Sequence, residues 1–177
     1  MSKPALLAVI GETEYFLYRP SLFKLYDTCY TGDEIPPYYA RPIHHIRMMR
    51  ELLFAHYVVV YMRVGGKTVG HFVVSRGGTR IAASGKEDIV IGPNWVIPAC
   101  RGKGLGSKGI DAVLHRLGFE YRYAYEFIED DNTASVRTVE KNGFTLLGRC
   151  AEYGVLKTIK PCEDGKLLVY RFEKEEA

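Results

Sequence analysis

The chain has 177 residues, of which 47% are apolar and 25% are charged, and its net charge is +3. This length and composition indicate a single globular domain over residues 1–177 with a full hydrophobic core. The basic residues are scattered, so charge does not predict a nucleic-acid partner, and no apolar run is long enough to cross a membrane. The 4 cysteines lack metal-ligand or redox spacing, which favours free thiols in a reducing, cytoplasmic compartment and no bound metal.

The N-terminal region begins with an apolar run that is too short for a signal peptide and indicates a first strand or an arm. Residues 14–18 predict a short aromatic strand. A helical stretch is then expected from Pro20-Ser21 through Tyr26, and the paired prolines Pro36-Pro37 prevent its continuation.

The segment 42–55 predicts the next helix. Its apolar residues Ile46, Met49 and Leu53 share one stripe at helical spacing, with Arg47 and Arg50 on the other side. This spacing therefore predicts an amphipathic helix with the two arginines turned away from the apolar stripe.

From residue 56 the apolar period changes to two, which is typical of strands. Gly65-Gly66 predicts a hairpin turn between the first two, and a second helix is expected at 132–142. The predicted strands span residues 57–64, 68–75, 88–97, 121–128, 144–159 and 167–172. Antiparallel hairpins before a glycine-rich loop and one β-α-β crossover around it indicate an α/β fold of the α+β type. The expected sheet is mixed, mostly antiparallel, with six to seven strands flanked by helices.

The stretch from Trp95 to Ser107 joins a predicted strand to an amphipathic helix through three glycines. Glycines let backbone N–H groups approach a ligand, and a helix N-terminus adds unpaired donors and partial positive charge. Arg101, Lys103 and Lys108 place cations nearby. The stretch therefore predicts a binding site for a cofactor that carries a pyrophosphate.

Two familiar phosphate motifs fit this loop poorly. A mononucleotide P-loop would require glycine where the chain has Ser107. The segment Gly104–Gly109 does spell the dinucleotide fingerprint G-x-G-x-x-G, and Glu126 follows about twenty residues later. However, antiparallel hairpins precede it, and too little chain remains for a full dinucleotide-binding sheet.

A third interpretation rests on two motifs in order. Arg101-Gly-Lys-Gly-Leu-Gly106, directly after Val96-Ile-Pro98, resembles motif A of the Gcn5-related N-acetyltransferase (GNAT) superfamily. The segment Asn132–Phe144, with its N-x-x-S and E-K-x-G-F spacing, is most similar to the ribosomal-protein N-terminal acetyltransferase (RimJ/RimL-like) branch. The resemblance implies the GNAT acyl-CoA N-acyltransferase fold, with an acetyl-CoA core at about 88–145 and acceptor-site elements at about 22–45 and 150–165.

The resemblance further implies that acetyl-CoA is held as a cosubstrate, with no metal. In this superfamily the loop N–H groups bind the pyrophosphate, and the preceding strand is splayed so that its backbone pairs with the pantetheine arm. One N–H near Trp95 or Val96 would face the thioester oxygen, and Asn132 would contact the pantetheine while also capping its helix. The implied cofactor-binding residues are Trp95, Val96, Arg101, Gly102, Lys103, Gly104, Leu105, Gly106, Ser107 and Asn132. A tight strand-to-helix turn is the structural alternative for the glycines.

Acetyl transfer also needs an acid for the leaving thiolate. Many relatives carry Tyr seven residues after this Asn, where the chain has Val139. Ser135 is the nearest alternative, although it is equally explained as a capping-turn hydroxyl, and a water or Tyr153 are the others.

The base is open for a similar reason. Several relatives place Glu five residues before the Asn, where the chain has Phe127. Glu126 is one position away and is either the base or a surface carboxylate. Glu87, Asp88, Glu129 and ordered water are further options.

The expected acceptor carries a primary amine, as a small molecule or a peptide N-terminus. Tyrosines and carboxylates in the first acceptor element would suit an amine, or would pack that loop onto the domain; they are Tyr26, Tyr30, Tyr38, Tyr39, Asp33 and Glu34. The resemblance therefore implies an acetyl-CoA-dependent N-acetyltransferase that works by direct attack in a ternary complex. The alternative is a catalytically impaired CoA-binding sensor or scaffold. Edge strands near the C-terminus leave room for a homodimer.

Overall fold

The computed structural model describes residues 4–26, 36, 41–154 and 157–174. These residues form one sheet with helices on its faces. The strands are β1 (Ala5–Ile10), β2 (Thr13–Tyr18), β3 (Val58–Val64), β4 (Lys67–Arg76), β5 (Ile89–Val96), β6 (Tyr123–Glu129), β7 (Thr145–Tyr153), β8 (Thr158–Pro161) and β9 (Leu167–Glu173). The α-helices are α1 (Pro42–Phe54), α2 (Leu105–Arg116) and α3 (Thr133–Lys141), and a 3₁₀ turn covers Pro98–Cys100.

The sheet has nine strands in the order β1-β2-β3-β4-β5-β6-β9-β7-β8. Neighbouring strands are antiparallel except β5 and β6, which run parallel on either side of α2. The mixed, mostly antiparallel class and the β-α-β crossover are therefore confirmed. The sheet is larger than the six to seven strands expected, because the N-terminal run forms β1 and because residues 144–159 form two strands.

The region 144–159 was predicted as one strand and instead forms the β7–β8 hairpin. Gly154 adopts a left-handed φ of 68°, which ends β7 because a strand requires extended backbone. The chain then returns antiparallel, so that Tyr153 lies opposite Thr158 and Cys150 opposite Pro161. β9 pairs with the other edge of β7.

Helices α1 and α2 cover opposite faces of the sheet. The apolar stripe of α2 is buried as its spacing predicts, with Ile110, Val113, Leu114 and Leu117 each at most 5% exposed. Gly109 lies so close to the ring of Phe72 on β4 that an added Cβ would overlap it. His71 directly precedes Phe72 on β4 and therefore points to the opposite face of the sheet. There it lies near His44 of α1.

Helix α1 is confirmed, but its apolar stripe is not its buried face. Ile46 and Leu53 are 62% and 56% exposed, whereas His44, Met48 and Glu51 face the domain. The Glu51 carboxylate is satisfied there: Arg50 pairs with it, and Thr79 donates a 3.0 Å hydrogen bond to it. Apolar periodicity alone could not detect that partners from other elements make this polar face the inner one.

The helix predicted from Pro20-Ser21 through Tyr26 is also wrong. Ser21 and Lys24 exchange backbone hydrogen bonds of 3.0 and 3.1 Å in a tight turn. Tyr26 is buried, and its ring stacks on His44. The other acceptor-loop candidates, Tyr30, Tyr38, Tyr39, Asp33 and Glu34, lie outside the described residues.

Candidate functional site

The site begins where β5 and β6 part. These parallel strands pair only from Ile89–Ala124 to Ile91–Glu126. Beyond that point β5 stays with β4 as far as Val96, and β6 stays with β9 as far as Glu129. Because the two strands follow different neighbours, their facing backbone edges separate and open a cleft.

The cleft has a volume of about 750 Å³. Glu126 and Asn94 line it together with Asn132 and Ser135 at the start of α3. The other wall includes Phe127 of β6 and, from the β7–β8 hairpin and the turn after it, Ala151, Glu152, Cys162 and Gly165. The structure therefore brings both predicted catalytic residues, Glu126 and Ser135, into one cavity with the predicted pantetheine contact Asn132.

Glu126 is buried at 3% exposure, which rules out the surface-carboxylate interpretation. Burial raises the pKa of its carboxyl from 4.5 to about 8, and a hydrogen bond from the Asn94 side-chain amide, at 3.2 Å, opposes that rise. Burial disfavours the charged form because the interior solvates it poorly. A carboxyl that exchanges its proton near neutral pH is suited to acid–base chemistry.

The predicted phosphate loop lies at the N-terminus of α2. Gly102 and Gly104 have φ values of 75° and 73°, and nothing lies within 4 Å of where a Cβ would be at either. Gly104 caps the helix without a side chain, so the N–H groups of the first turn, from Leu105 to Ser107, have no intrahelical acceptor. This arrangement can accept an anion.

The residues around the loop hold it in place. The Arg101 guanidinium lies 5.1 Å from the Trp95 ring centroid, and its Nε donates a 3.0 Å hydrogen bond to the carbonyl of Val96. The hydroxyl of Ser107 accepts a 2.9 Å hydrogen bond from Asn142, just past the end of α3. The loop is thereby fastened to the end of β5 and to α3, while Lys103 is exposed to solvent.

The start of α3 forms as its sequence predicts. The Asn132 side-chain oxygen accepts a 3.2 Å hydrogen bond from the backbone N–H of Ser135, and so caps the helix. Val139, at the position where relatives carry Tyr, is completely buried and has no proton to give. Tyr153 is 45% exposed on β7.

The other candidate bases differ in their surroundings. Asp88 uses its carboxylate to accept hydrogen bonds from the backbone N–H groups of Gly85, at 2.7 Å, and Tyr123, at 3.2 Å. Those bonds connect the start of β5 to its neighbours, which is a structural role. Glu129 lines the cleft, at its exposed end. Glu87 is exposed and lies on a separate surface depression.

Asn94, which directly contacts Glu126, was not among the residues predicted for the site. The sequence did contain a signal for it: Asn94 is a polar amide in the otherwise apolar stretch 89–97, and asparagine is disfavoured in the interior of a strand. Arg80 and Glu152, which contact each other at the β7 side of the cleft, gave no comparable signal because they are far apart in sequence.

The described residues were also compared with the requirements of a metal site and of a membrane-spanning helix. Within the described ranges, no group of three or more His, Cys, Asp or Glu side chains is arranged to hold a metal ion. None of the helices formed by those residues is both long enough and apolar enough to cross a membrane.

Comparison with known proteins gives a family match. Residues 19–144 match the model of the acetyltransferase (GNAT) family. No curated protein matches the chain significantly in sequence.

Solved structures share the fold. RimL, a ribosomal L7/L12 alpha-N-protein acetyltransferase, superposes with a TM-score of 0.60 at 15% identity over 98% of this chain and 96% of that chain. yncA, a putative acetyltransferase from Salmonella typhimurium solved with acetyl-CoA, gives 0.54 at 22% identity over 86% and 83%. The microcin C7 self-immunity acetyltransferase MccE, solved with acetyl-CoA and AMP, gives 0.52 at 20% identity over 74% and 68%.

Proposed function

Because the chain belongs to the acetyltransferase (GNAT) family, we propose that it is an acetyl-CoA-dependent N-acetyltransferase acting on a primary amine. The observation that carries the proposal is the buried Glu126, held by Asn94 in the cleft where β5 and β6 part. The acceptor is a small molecule or a peptide N-terminus, and RimL, named as acting on the latter, aligns over nearly the whole chain.

The residues present fit acetyl-CoA. The first-turn N–H groups of α2 and the open glycines Gly102 and Gly104 suit a pyrophosphate. Arg101 and Lys103 add positive charge beside them. The parted edge of β5 at Trp95 and Val96 offers backbone groups to the pantetheine, and Asn132 at the cleft offers its side-chain amide. We assign the cofactor contacts to these residues together with Leu105, Gly106 and Ser107.

In this proposal bound acetyl-CoA supplies the thioester, and the chain's residues manage the protons. Glu126 accepts the proton of the attacking amine, directly or through water, as the amine attacks within the ternary complex. A backbone N–H near Trp95 or Val96 stabilises the negative charge that develops on the carbonyl oxygen. Ser135, which also lines the cleft, provides a hydroxyl for the leaving thiolate.

The buried Val139 favours a second candidate. Without a tyrosine at that position, the same fold could bind CoA as a sensor or scaffold and lack turnover. The two functions share the cofactor site and differ in whether acetyl groups leave it.

A thiol-release assay distinguishes them. The protein is incubated with acetyl-CoA and a panel of primary amines that includes amino acids, amino sugars, polyamines and short peptides. Thermal unfolding is followed in parallel with CoA and with NAD. Stabilisation by CoA with thiol release on some amines supports the enzyme. Stabilisation without release across the panel supports the sensor, and stabilisation by NAD but not CoA contradicts both.

A further inference from the structure

A group of charged side chains lies beside the cleft, on the face covered by α1. Three arginines form it, and we call them the arginine cluster: Arg47 and Arg50 on α1, and Arg80 in the connection between β4 and β5. The Arg80 guanidinium lies 4.7 Å from the ring centroid of Phe127 and 3.6 Å from the Glu152 carboxylate. Phe127 and Glu152 both line the cleft, so the cluster adjoins its wall.

Within the part of the chain that the structure describes, two carboxylates lie near this cluster, and both are engaged. Glu51 pairs with Arg50 and accepts a hydrogen bond from Thr79. Glu152 pairs with Lys157 at 2.6 Å, and its second oxygen is the one that lies 3.6 Å from Arg80. Among the described residues, the three arginines and Lys157 place four positive charges beside these two carboxylates.

Two of the guanidiniums are left short of partners. The Nε atoms of Arg47 and Arg80 are buried, and neither has a hydrogen-bond partner among the described residues. Arg47 makes no hydrogen bond or ion pair within that part of the chain. Burial together with the neighbouring Arg47 and Arg50 lowers the pKa of Arg80, while Glu51 and Glu152 oppose this. A buried donor without a partner costs stability, and like charges add to that cost.

The position of Arg80 is fixed by the backbone. Its carbonyl accepts a 2.8 Å hydrogen bond from the N–H of Ile159 on β8, and Ile81 forms a bridge with Ile159. Stacking on Phe127 holds the guanidinium plane against the cleft wall. An arginine held in this way binds an anion with little further ordering.

We propose that the acetyl acceptor carries an anionic group, a carboxylate or a phosphate, which Arg47 and Arg80 bind while its amine lies in the cleft beside Glu126. The inference rests on the proposed function and names the class of its acceptor. Planar guanidinium groups match the oxygens of both anions and bind them by charge-assisted hydrogen bonds, which are strong where water is partly excluded. The cluster is thus a specificity determinant and has no part in the chemical step.

The test compares acceptors that differ only in charge. Matched pairs are an amino acid and its carboxamide, a phosphorylated amino sugar and its parent, and a peptide with Asp at its second position and the same peptide with Asn. For the wild-type protein we expect kcat/KM to favour the charged member of at least one pair by about tenfold or more. The pair that shows this preference distinguishes a carboxylate from a phosphate.

The substitution Arg47→Gln is the main variant, because the Arg47 guanidinium forms no hydrogen bond or ion pair with the described residues that folding would depend on. We expect the preference ratio to fall toward one, through a higher KM for the charged acceptor and an unchanged kcat at saturation. Arg80→Gln should do the same, provided that circular dichroism shows it folded. The matched control is Arg63→Gln, which removes an arginine stacked on Phe16, on the β2–β3 side of the sheet; it should keep the wild-type ratio.

The outcomes separate the two proposals. Acetyl transfer with equal use of charged and neutral acceptors overturns this inference and leaves the proposed function standing. A preference that survives Arg47→Gln and Arg80→Gln also overturns it. Absence of transfer to every acceptor overturns the proposed function and this inference with it.

Discussion

The side-chain amide of Asn94 donates a 3.2 Å hydrogen bond to the carboxyl of Glu126 at the point where β5 and β6 stop pairing. Without this bond, the buried carboxyl would lie in the gap between the two strands with no side-chain hydrogen-bond donor among the described residues. The bond opposes the effect of burial and keeps the pKa of Glu126 at about 8. A general base with this pKa is partly ionised at neutral pH and becomes fully ionised in mild alkali.

The pH dependence of kcat/KM should therefore report Glu126. We expect activity to rise with pH through an apparent pKa of about 8, because only the ionised carboxylate can accept a proton. Glu126→Gln keeps the shape and removes the base, so it should lower kcat by about 10²–10⁴-fold. Steady-state thiol release from acetyl-CoA over pH 6–9.5 measures both effects.

The control is Glu129→Gln, which alters an exposed carboxylate at the same cleft. It should retain the wild-type pH profile. A Glu126→Gln variant with wild-type activity, or a profile that is flat around pH 8, would show that ordered water or another group removes the amine proton.

Substitution of Asn94 should move the same midpoint. Asn94→Ala removes the hydrogen bond that favours the ionised form, so we expect the pKa of Glu126 to rise further. The kcat/KM profile should then shift to higher pH, while the plateau in alkali approaches that of the wild-type protein. A shift to lower pH would contradict the assignment of the hydrogen bond.

The sequence predicted the local structure around the proposed cofactor loop because the signals there are local. The glycine-rich connection from β5 to α2, the Asn132 cap and the helix expected at 132–142 each depend on residues that are close in sequence, and the structure forms all three. The mixed sheet followed from the change in apolar period. These features depend on backbone sterics and helix ends, which short stretches determine.

Three other features could not be predicted in the same way. The buried face of α1 is polar because Glu51 finds Arg50 beside it on the helix and Thr79 across a tertiary contact. The burial of Glu126 depends on where β5 and β6 part, and its one-residue offset from the family position left both a base and a surface carboxylate open. The division of residues 144–159 depended on a single left-handed glycine, Gly154. For α1 and for Glu126, long-range contacts overrode the local pattern.

Gly104→Asp should abolish CoA binding. The side chain would place a negative charge at the N-terminus of α2, where the proposed pyrophosphate binds, and like charges repel. Gly104 has φ 73°, so the substitution also carries a backbone cost. Gly66→Asp is the matched control, because Gly66 has φ 77° in the β3–β4 turn, far along the chain from the loop. Isothermal titration with CoA should show binding by the control alone; equal affinities would exclude the loop as the phosphate site.

The glycines of α2 should respond differently to alanine. At Gly109 a Cβ would overlap the Phe72 ring, so we expect Gly109→Ala to destabilise the protein by about 1–3 kcal/mol. At Gly106 the Cβ would lie 3.8 Å from Thr138 in ordinary contact, so Gly106→Ala should be neutral or stabilising by about 0.5–1 kcal/mol. Urea unfolding without ligand measures both, and the same sign for the two variants would contradict the packing described here.

The free energy of unfolding should be largest near pH 6.5, because buried histidines lower it on the acid side and a buried carboxyl lowers it on the alkaline side. Burial lowers the pKa of His44 to about 4 and of His71 to about 3, whereas an unfolded histidine titrates near 6.5. Below pH 6.5 the unfolded chain therefore binds more protons at these two sites, and stability falls as pH falls. Glu126 has the opposite effect, because its pKa is about 8 in the folded protein against a reference value of 4.5. Between these values the folded protein retains a proton that the unfolded chain has lost. Above pH 6.5, where the histidines no longer contribute, stability therefore falls as pH rises to 8.

Two variants should separate these contributions in urea unfolding at pH 4.5–8.5. Glu126→Gln cannot ionise, so it should remove the loss of stability above pH 6.5 and make the protein more stable than wild type at pH 8. His44→Gln should reduce the acid-side slope, to which each buried histidine contributes up to about 1.4 kcal/mol per pH unit. His115→Gln, at an exposed histidine beside Asp111 on α2, is the control for loss of a histidine. If Glu126→Gln leaves the alkaline side of the curve unchanged, Glu126 is ionised in the folded protein at neutral pH, and the base proposed here would not titrate near pH 8.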